Sequence, residues 1–105
     1  MKKNYYVLLF PESKNNRISI TFTDQVGLKT FIDSPNDIKV KDLLLAFAKE
    51  KGINPNILGK VIYFLYNGCK ININKDKDLI SYGLRSGSDI IIVDAINTIG
   101  GNSNC

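Results

Sequence analysis

Residues Ile18 to Thr23 read Ile-Ser-Ile-Thr-Phe-Thr, apolar and polar in alternation, the period of a half-buried strand. Asp24-Gln-Val-Gly27 follows, with Gly27 able to adopt the positive φ of a hairpin turn. Leu28 to Ile32 resumes an extended pattern, and Asp33-Ser-Pro-Asn-Asp37 punctuates it. A hairpin is the simplest reading. Tyr5 to Phe10 is a second candidate first strand, joined to Ile18 by the polar stretch Glu12 to Arg17. A hairpin of 5–10 with 18–23 is open too, although it leaves Leu28 to Ile32 in a long loop of a kind compact domains rarely contain.

The spacing predicts one clear helix, Val40 to Lys51. Val40, Leu43, Leu44, Phe47 and Ala48 recur at i, i+3, i+4, i+7 and i+8, an amphipathic stripe, and Leu45 falls off it. Asp37 lies where a cap or a dipole-facing carboxylate belongs. Gly52 is placed to stop the helix. Val61 to Tyr66 is a β-branched and aromatic run ending at Asn67-Gly68, the strongest dipeptide signal for a tight turn, and Cys69 to Ile73 returns from it. Leu79, Tyr82 and Leu84 suggest a short helical turn. Asp89-Ile-Ile-Ile-Val93 is a continuous apolar strand suited to the middle of a sheet. The order is β-β-α-β-β-turn-β.

Composition narrows the chemistry. A chain of 105 residues is one domain with a single modest core. It has no His, which excludes Ser-His-Asp and Cys-His triads and His-bearing zinc sites. Cys69 and Cys105 cannot make a four-thiolate site, so neither catalytic site, metal nor cofactor is expected. The net charge of +4 is spread over scattered Lys with only Arg17 and Arg85 as arginines, unlike the concentrated basic patches of nucleic-acid binders. No stretch approaches the roughly 20 apolar residues that span a bilayer. The opening Met-Lys-Lys and apolar run superficially resemble a signal peptide. The run ends in Pro11-Glu-Ser with no small-x-small cleavage site, so a strand is expected, in a cytoplasmic or nuclear protein. A binding module is favoured over an enzyme.

Several segments together resemble the ubiquitin-like β-grasp family. Leu43-Leu-Leu-Ala-Phe-Ala-Lys-Glu-Lys-Gly52 is similar to the helix of its small ubiquitin-like modifiers (SUMO). Phe64-Leu-Tyr-Asn-Gly68 with Lys70-Ile71 resembles their Phe-Leu-Phe/Tyr-Asp-Gly-x-Arg-Ile segment. Thr98-Ile-Gly-Gly101 resembles their terminus, including a few residues beyond the glycines. The resemblance implies an α+β fold, a mixed sheet of four to five strands with one helix packed across it. It divides the chain into an N-terminal extension over 1–16 with a possible extra strand, the β-grasp domain over 17–95, and a tail over 96–105. Cys69 stands just after the turn, where ubiquitin carries a chain-forming Lys. No apolar-Lys-x-Glu acceptor site is present.

What the resemblance implies about function follows from the tail. A processing protease would remove Asn102, Ser103, Asn104 and Cys105. Activating and conjugating enzymes would then join Gly101 to Lys of target proteins, with Gly100 and Gly101 passing a narrow channel because they carry no side chain. A peptide-binding groove is expected beside the second strand of the hairpin, with an open edge at Lys29, Thr30, Phe31 and Ile32 and with Lys39 and Lys41 attracting acidic flanks. The alternative is a non-conjugated adaptor or structural subunit of a larger complex. The apolar segment within residues 4–10 supports it, because on a free modifier that segment would be exposed unless it adds to the sheet.

Overall fold

The hairpin expected from Ile18 to Ile32 is the frame on which the rest is built. In the computed structural model, which describes residues 4–95, it comprises β2 (Arg17–Thr23) and β3 (Lys29–Pro35), paired antiparallel with Ile20 opposite Ile32. Gly27 takes φ +85° in the turn, and the Asp24 carboxylate accepts from the amides of Val26 and Leu28. β1 (Tyr5–Leu8) does not form the competing hairpin with β2. It lies parallel on the far side of β3, with Tyr5 opposite Thr30 and Leu8 opposite Asp33.

The remaining strands are β4 (Ile62–Tyr66), β5 (Cys69–Lys70) and β6 (Ser88–Asp94). Spatial order among the described residues is β1-β3-β2-β6-β4-β5. β6 sits centrally, parallel to β2 and antiparallel to β4, as its unbroken apolar run requires. The α+β arrangement is the expected one. Six strands replace the expected four to five because the N-terminal run supplies an added edge strand. Asn67 and Gly68 both have positive φ (53° and 78°), the primed turn that matches the twist of a two-residue hairpin.

α1 (Val40–Glu50) crosses one face of the sheet and buries Val40, Leu43, Leu44, Phe47 and Ala48, the predicted stripe, while Leu45 stays exposed. Phe47 stacks on Phe22 of β2 at 4.3 Å, and Phe64 of β4 meets both rings edge-on at 5.9 Å. Edge-to-face and offset-stacked rings contribute about 0.5–1.5 kcal/mol per pair beyond the area they bury. Gly52 (φ +69°) ends the helix as predicted, with the Gly52 amide on the Lys49 carbonyl and the Ile53 amide on that of Ala48. Asp37 is not the cap. Lys39 occupies that position without a side-chain bond, and the carbonyls of Lys77 and Lys75 accept from the first helical amides, those of Val40 and Lys41. Asp37 instead accepts from the side-chain amide of Asn15 at 2.7 Å. The predicted short turn is α2 (Leu79–Tyr82), closed by Gly83 at φ +108°.

Candidate functional site

With α1 covering the inner face, the period of two sends every other strand residue to the opposite, outer face. On β4 the inward residue Phe64 is fully buried, so Tyr63 and Leu65 point outward; on β6, Ile90 is fully buried and Ile91 and Val93 point outward. The antiparallel register places Leu65 beside Ile91 and Tyr63 beside Val93. Four apolar side chains from two adjacent strands therefore form one cluster, with Ile91 still 37% exposed. Polar groups rim it. The Lys70 ammonium lies 4.2 Å from the centroid of the Tyr63 ring, and Thr23 Oγ1 donates to Asp89 at 2.9 Å. An apolar centre with a charged margin is the anatomy of a protein-binding surface.

A second outer cluster stands on β1 and β3. Tyr6 stacks on Phe31 at 5.1 Å, and Leu8 projects beside them. The outer residues of β2 (Ser19, Thr21 and Thr23) separate the two clusters with a polar strip.

β1 also settles what covers the edge of β3. The expected open edge at Lys29, Thr30, Phe31 and Ile32 is occupied within the chain by Tyr5 to Leu8, because an apolar strand gains ladder hydrogen bonds there and half-buries Val7 and Leu9 against the core. Thr30 and Ile32 are buried, Phe31 lies under Tyr6, and the Lys29 amine donates to Thr23 Oγ1 at 3.2 Å. Lys39 and Lys41 are not brought to this place. Both pair with the Asp76 carboxylate, at 3.9 and 3.4 Å. The other end of α1 is the one near Thr30, since the Lys51 ammonium sits 4.0 Å over the ring of Tyr5, the residue paired with Thr30. Eleven helical residues put the two ends about 15 Å apart.

Gly100 and Gly101, and the extension Asn102, Ser103, Asn104 and Cys105, lie outside the described residues. Among the described residues no group of His, Cys, Asp or Glu is placed to hold a metal ion, and no helix is long and apolar enough to cross a membrane. Two groups among the described residues have displaced pKa values, and both lie off the outer clusters. Burial, then the neighbouring Tyr66, pushes the Tyr82 phenol up, and Ser81 donating to the Asp78 carboxylate pulls that group down.

The β4–β6 cluster is the part that reading the sequence missed. Its signal was present in Tyr63-x-Leu65 and Ile91-x-Val93, two apolar alternations left over once Phe64 and Ile90 are assigned to the core. In the continuous apolar runs Val61–Tyr66 and Ile90–Val93, that second alternation is hidden by the first.

By sequence, no family model and no curated protein matches the chain. By structure, it is similar to the UBL domain of yeast Ddi1, with a TM-score of 0.67 at 18% identity over 82% of this chain and 99% of that one. The ubiquitin-like domain of Arabidopsis thaliana protein At2g32350 gives a TM-score of 0.62 at 14% identity, covering 81% and 84%. The UBL domain of Plasmodium falciparum Dsk2 gives 0.60 at 20% identity, covering 76% and 100%. The fold is ubiquitin-like. These likenesses do not single out the small-modifier branch.

Proposed function

We propose that the chain acts as a non-conjugated ubiquitin-like interaction module, docking a protein partner on the β4–β6 cluster. The observation that carries this reading is the joining of Tyr63, Leu65, Ile91 and Val93 into one outward apolar surface, rimmed by Lys70 and Asp89, on strands whose other faces are locked in the core. Burying such a centre drives association, and the charged rim sets orientation and selectivity. Three similar structures support this over the modifier reading in one respect: each is a domain of another protein.

The modifier reading places function in the tail instead, at Gly101 joined to target Lys. One experiment separates the two. Tagged full-length chain, a Leu65→Lys/Ile91→Lys variant and a Gly101→Ala variant are expressed in cells, blotted, and isolated with their bound proteins. The module reading expects a single band and a stoichiometric partner that the Gly101→Ala variant keeps and the double variant loses. A ladder of conjugates that disappears with Gly101→Ala, with no partner sensitive to the double variant, overturns it.

A further inference from the structure

The two edges of the sheet are not equally protected. The β5 edge is blunted in the usual ways, since Cys69–Lys70 is two residues long and carries a charge. The β1 edge has no such guard. Tyr5–Leu8 contains no charge and no proline, and its outward side chains are the most exposed large apolar groups on the sheet, Tyr6 at 77% and Leu8 at 56%.

The backbone of β1 says what fits there. The Leu9 amide donates to the Asp33 carbonyl at 2.9 Å, so odd-numbered residues turn their polar groups toward β3. Alternation then directs the N–H and C=O of Tyr6 and Leu8 to the open side. We infer that this edge is a self-association surface for a second copy of the chain, paired antiparallel about a twofold axis at Val7. In that register Tyr6 of each copy exchanges two hydrogen bonds with Leu8 of the other. All four open donors and acceptors on each strand are then used. The symmetry is the isologous kind that closes as a dimer.

Side chains and charges agree with that register. On the outer face Tyr6 meets Leu8 of the second copy, merging the Tyr6–Phe31–Leu8 clusters of both. The Tyr5 end, which carries Lys51, is set toward the end that carries Asp33, so the strand pair does not oppose like charges end to end. With Tyr5 47%, Tyr6 77%, Leu8 56% and Phe10 45% exposed, and aromatic side chains covering ~150–250 Å² when fully buried, complete burial of these groups on both copies covers at most roughly 900 Å². That lies at the low end of specific interfaces, so the dimer is weak and reversible.

Sedimentation equilibrium of the full chain under reducing conditions, from about 10 μM to about 1 mM, tests this. The average mass is expected to climb from 11.7 kDa toward twice that value. Leu8→Pro removes an amide that faces only the second copy, and Leu8→Lys adds a charge to the edge. Each weakens dimerisation at least tenfold, while the Val7 and Leu9 amides, which face β3, stay protected from hydrogen exchange. A wild-type chain that remains monomeric throughout overturns the inference. So does a dimer that Leu8→Lys leaves intact, or one lost instead in Leu65→Lys/Ile91→Lys, which would assign the contact to the β4–β6 cluster.

Discussion

Tyr63, Leu65, Ile91 and Val93 stand on strands whose alternate residues, Phe64 and Ile90, are fully buried, whereas Tyr6 and Leu8 stand on a strand whose alternate residues, Val7 and Leu9, are only half-buried. The two clusters are otherwise alike: apolar, on the same face, separated by the polar side chains of β2. The first is part of the framework and cannot leave without unfolding it. The second is fastened on. β1 has one neighbour, β3, and its ladder ends early because Pro35 has no amide to offer the Leu9 carbonyl. Arg17, paired across the hairpin with Pro35, takes that place. Its guanidinium donates to the carbonyls of Leu9, Phe10 and Asp33 and forms an ion pair with the Asp33 carboxylate at 2.5 Å. One sheet thus presents one surface on framework strands and another on an edge strand with a single neighbour.

The most severe way to break this comparison is to remove what both surfaces stand on. Phe47→Ala deletes the ring that stacks on Phe22 and meets Phe64, and a buried Phe truncated to Ala costs about 3–5 kcal/mol. Urea denaturation followed by circular dichroism should show a loss in that range, with both clusters melting together. A loss below about 1 kcal/mol would mean that the aromatic trio is not the keystone of the core.

Arg17→Ala should split the two surfaces. Leu9 and Phe10 lose a charged donor, with an expected cost of about 1–3 kcal/mol falling mainly on β1. Hydrogen exchange should accelerate at the Val7 and Leu9 amides and stay slow at Phe64 and Ile90. Arg17→Lys should not restore protection, because one ammonium cannot reproduce a fork reaching three carbonyls and a carboxylate. Uniform acceleration across the sheet would show that β1 is framework after all.

Smaller effects sharpen the distinction. Tyr6→Ala removes the stack on Phe31, worth about 0.5–1.5 kcal/mol of β1 attachment. Leu65→Lys and Ile91→Lys touch nothing in the core and should each change global stability by no more than about 0.5 kcal/mol. A binding surface that tolerates charge without unfolding is free to be apolar for its partner. Loss of several kcal/mol in either Lys variant would assign these residues to packing instead.

How much of this was legible in the sequence depends on periodicity. The hairpin, α1, the Asn67-Gly68 turn and β6 were readable because each rests on a local pattern: alternation, a helical stripe, a positive-φ dipeptide, an unbroken apolar run. The partner of β1 was not. Tyr5 to Phe10 reads equally well beside β2 or β3, and the choice is made by a proline and an arginine, Pro35 and Arg17, meeting across a strand pair. The cap of α1 was misread for a related reason. Asp37 has the right chemistry, but carbonyls from Lys75 and Lys77, distant in sequence, supply the acceptors. Lys29, Lys39 and Lys41 look like one basic set along the chain, but in space Lys39 and Lys41 converge on Asp76 while Lys29 bonds Thr23 elsewhere on the sheet.

The smallest expected effect lies away from both clusters. Asp78 caps α2, its carboxylate accepting from the Ser81 amide at 3.3 Å, and donation from Ser81 holds its pKa below the usual value of 3.8. A group depressed in the folded state contributes stability that is fully present above its unfolded pKa and is lost as pH falls through the folded one. The cap should therefore be intact at neutral pH and weaken only below about pH 4. Followed by NMR from about pH 5 to pH 2, the Ser81 amide should move with Asp78 protonation, while those of Val7, Leu65 and Ile91 hold still until global acid unfolding. Asp78→Asn keeps an N-cap acceptor without the titration and should remove the Ser81 transition. A simultaneous low-pH shift at Val7 in the wild type, absent in Asp78→Asn, would show that α2 and the attached strand are coupled through the core, and the edge-strand surface would then answer to a residue on neither cluster.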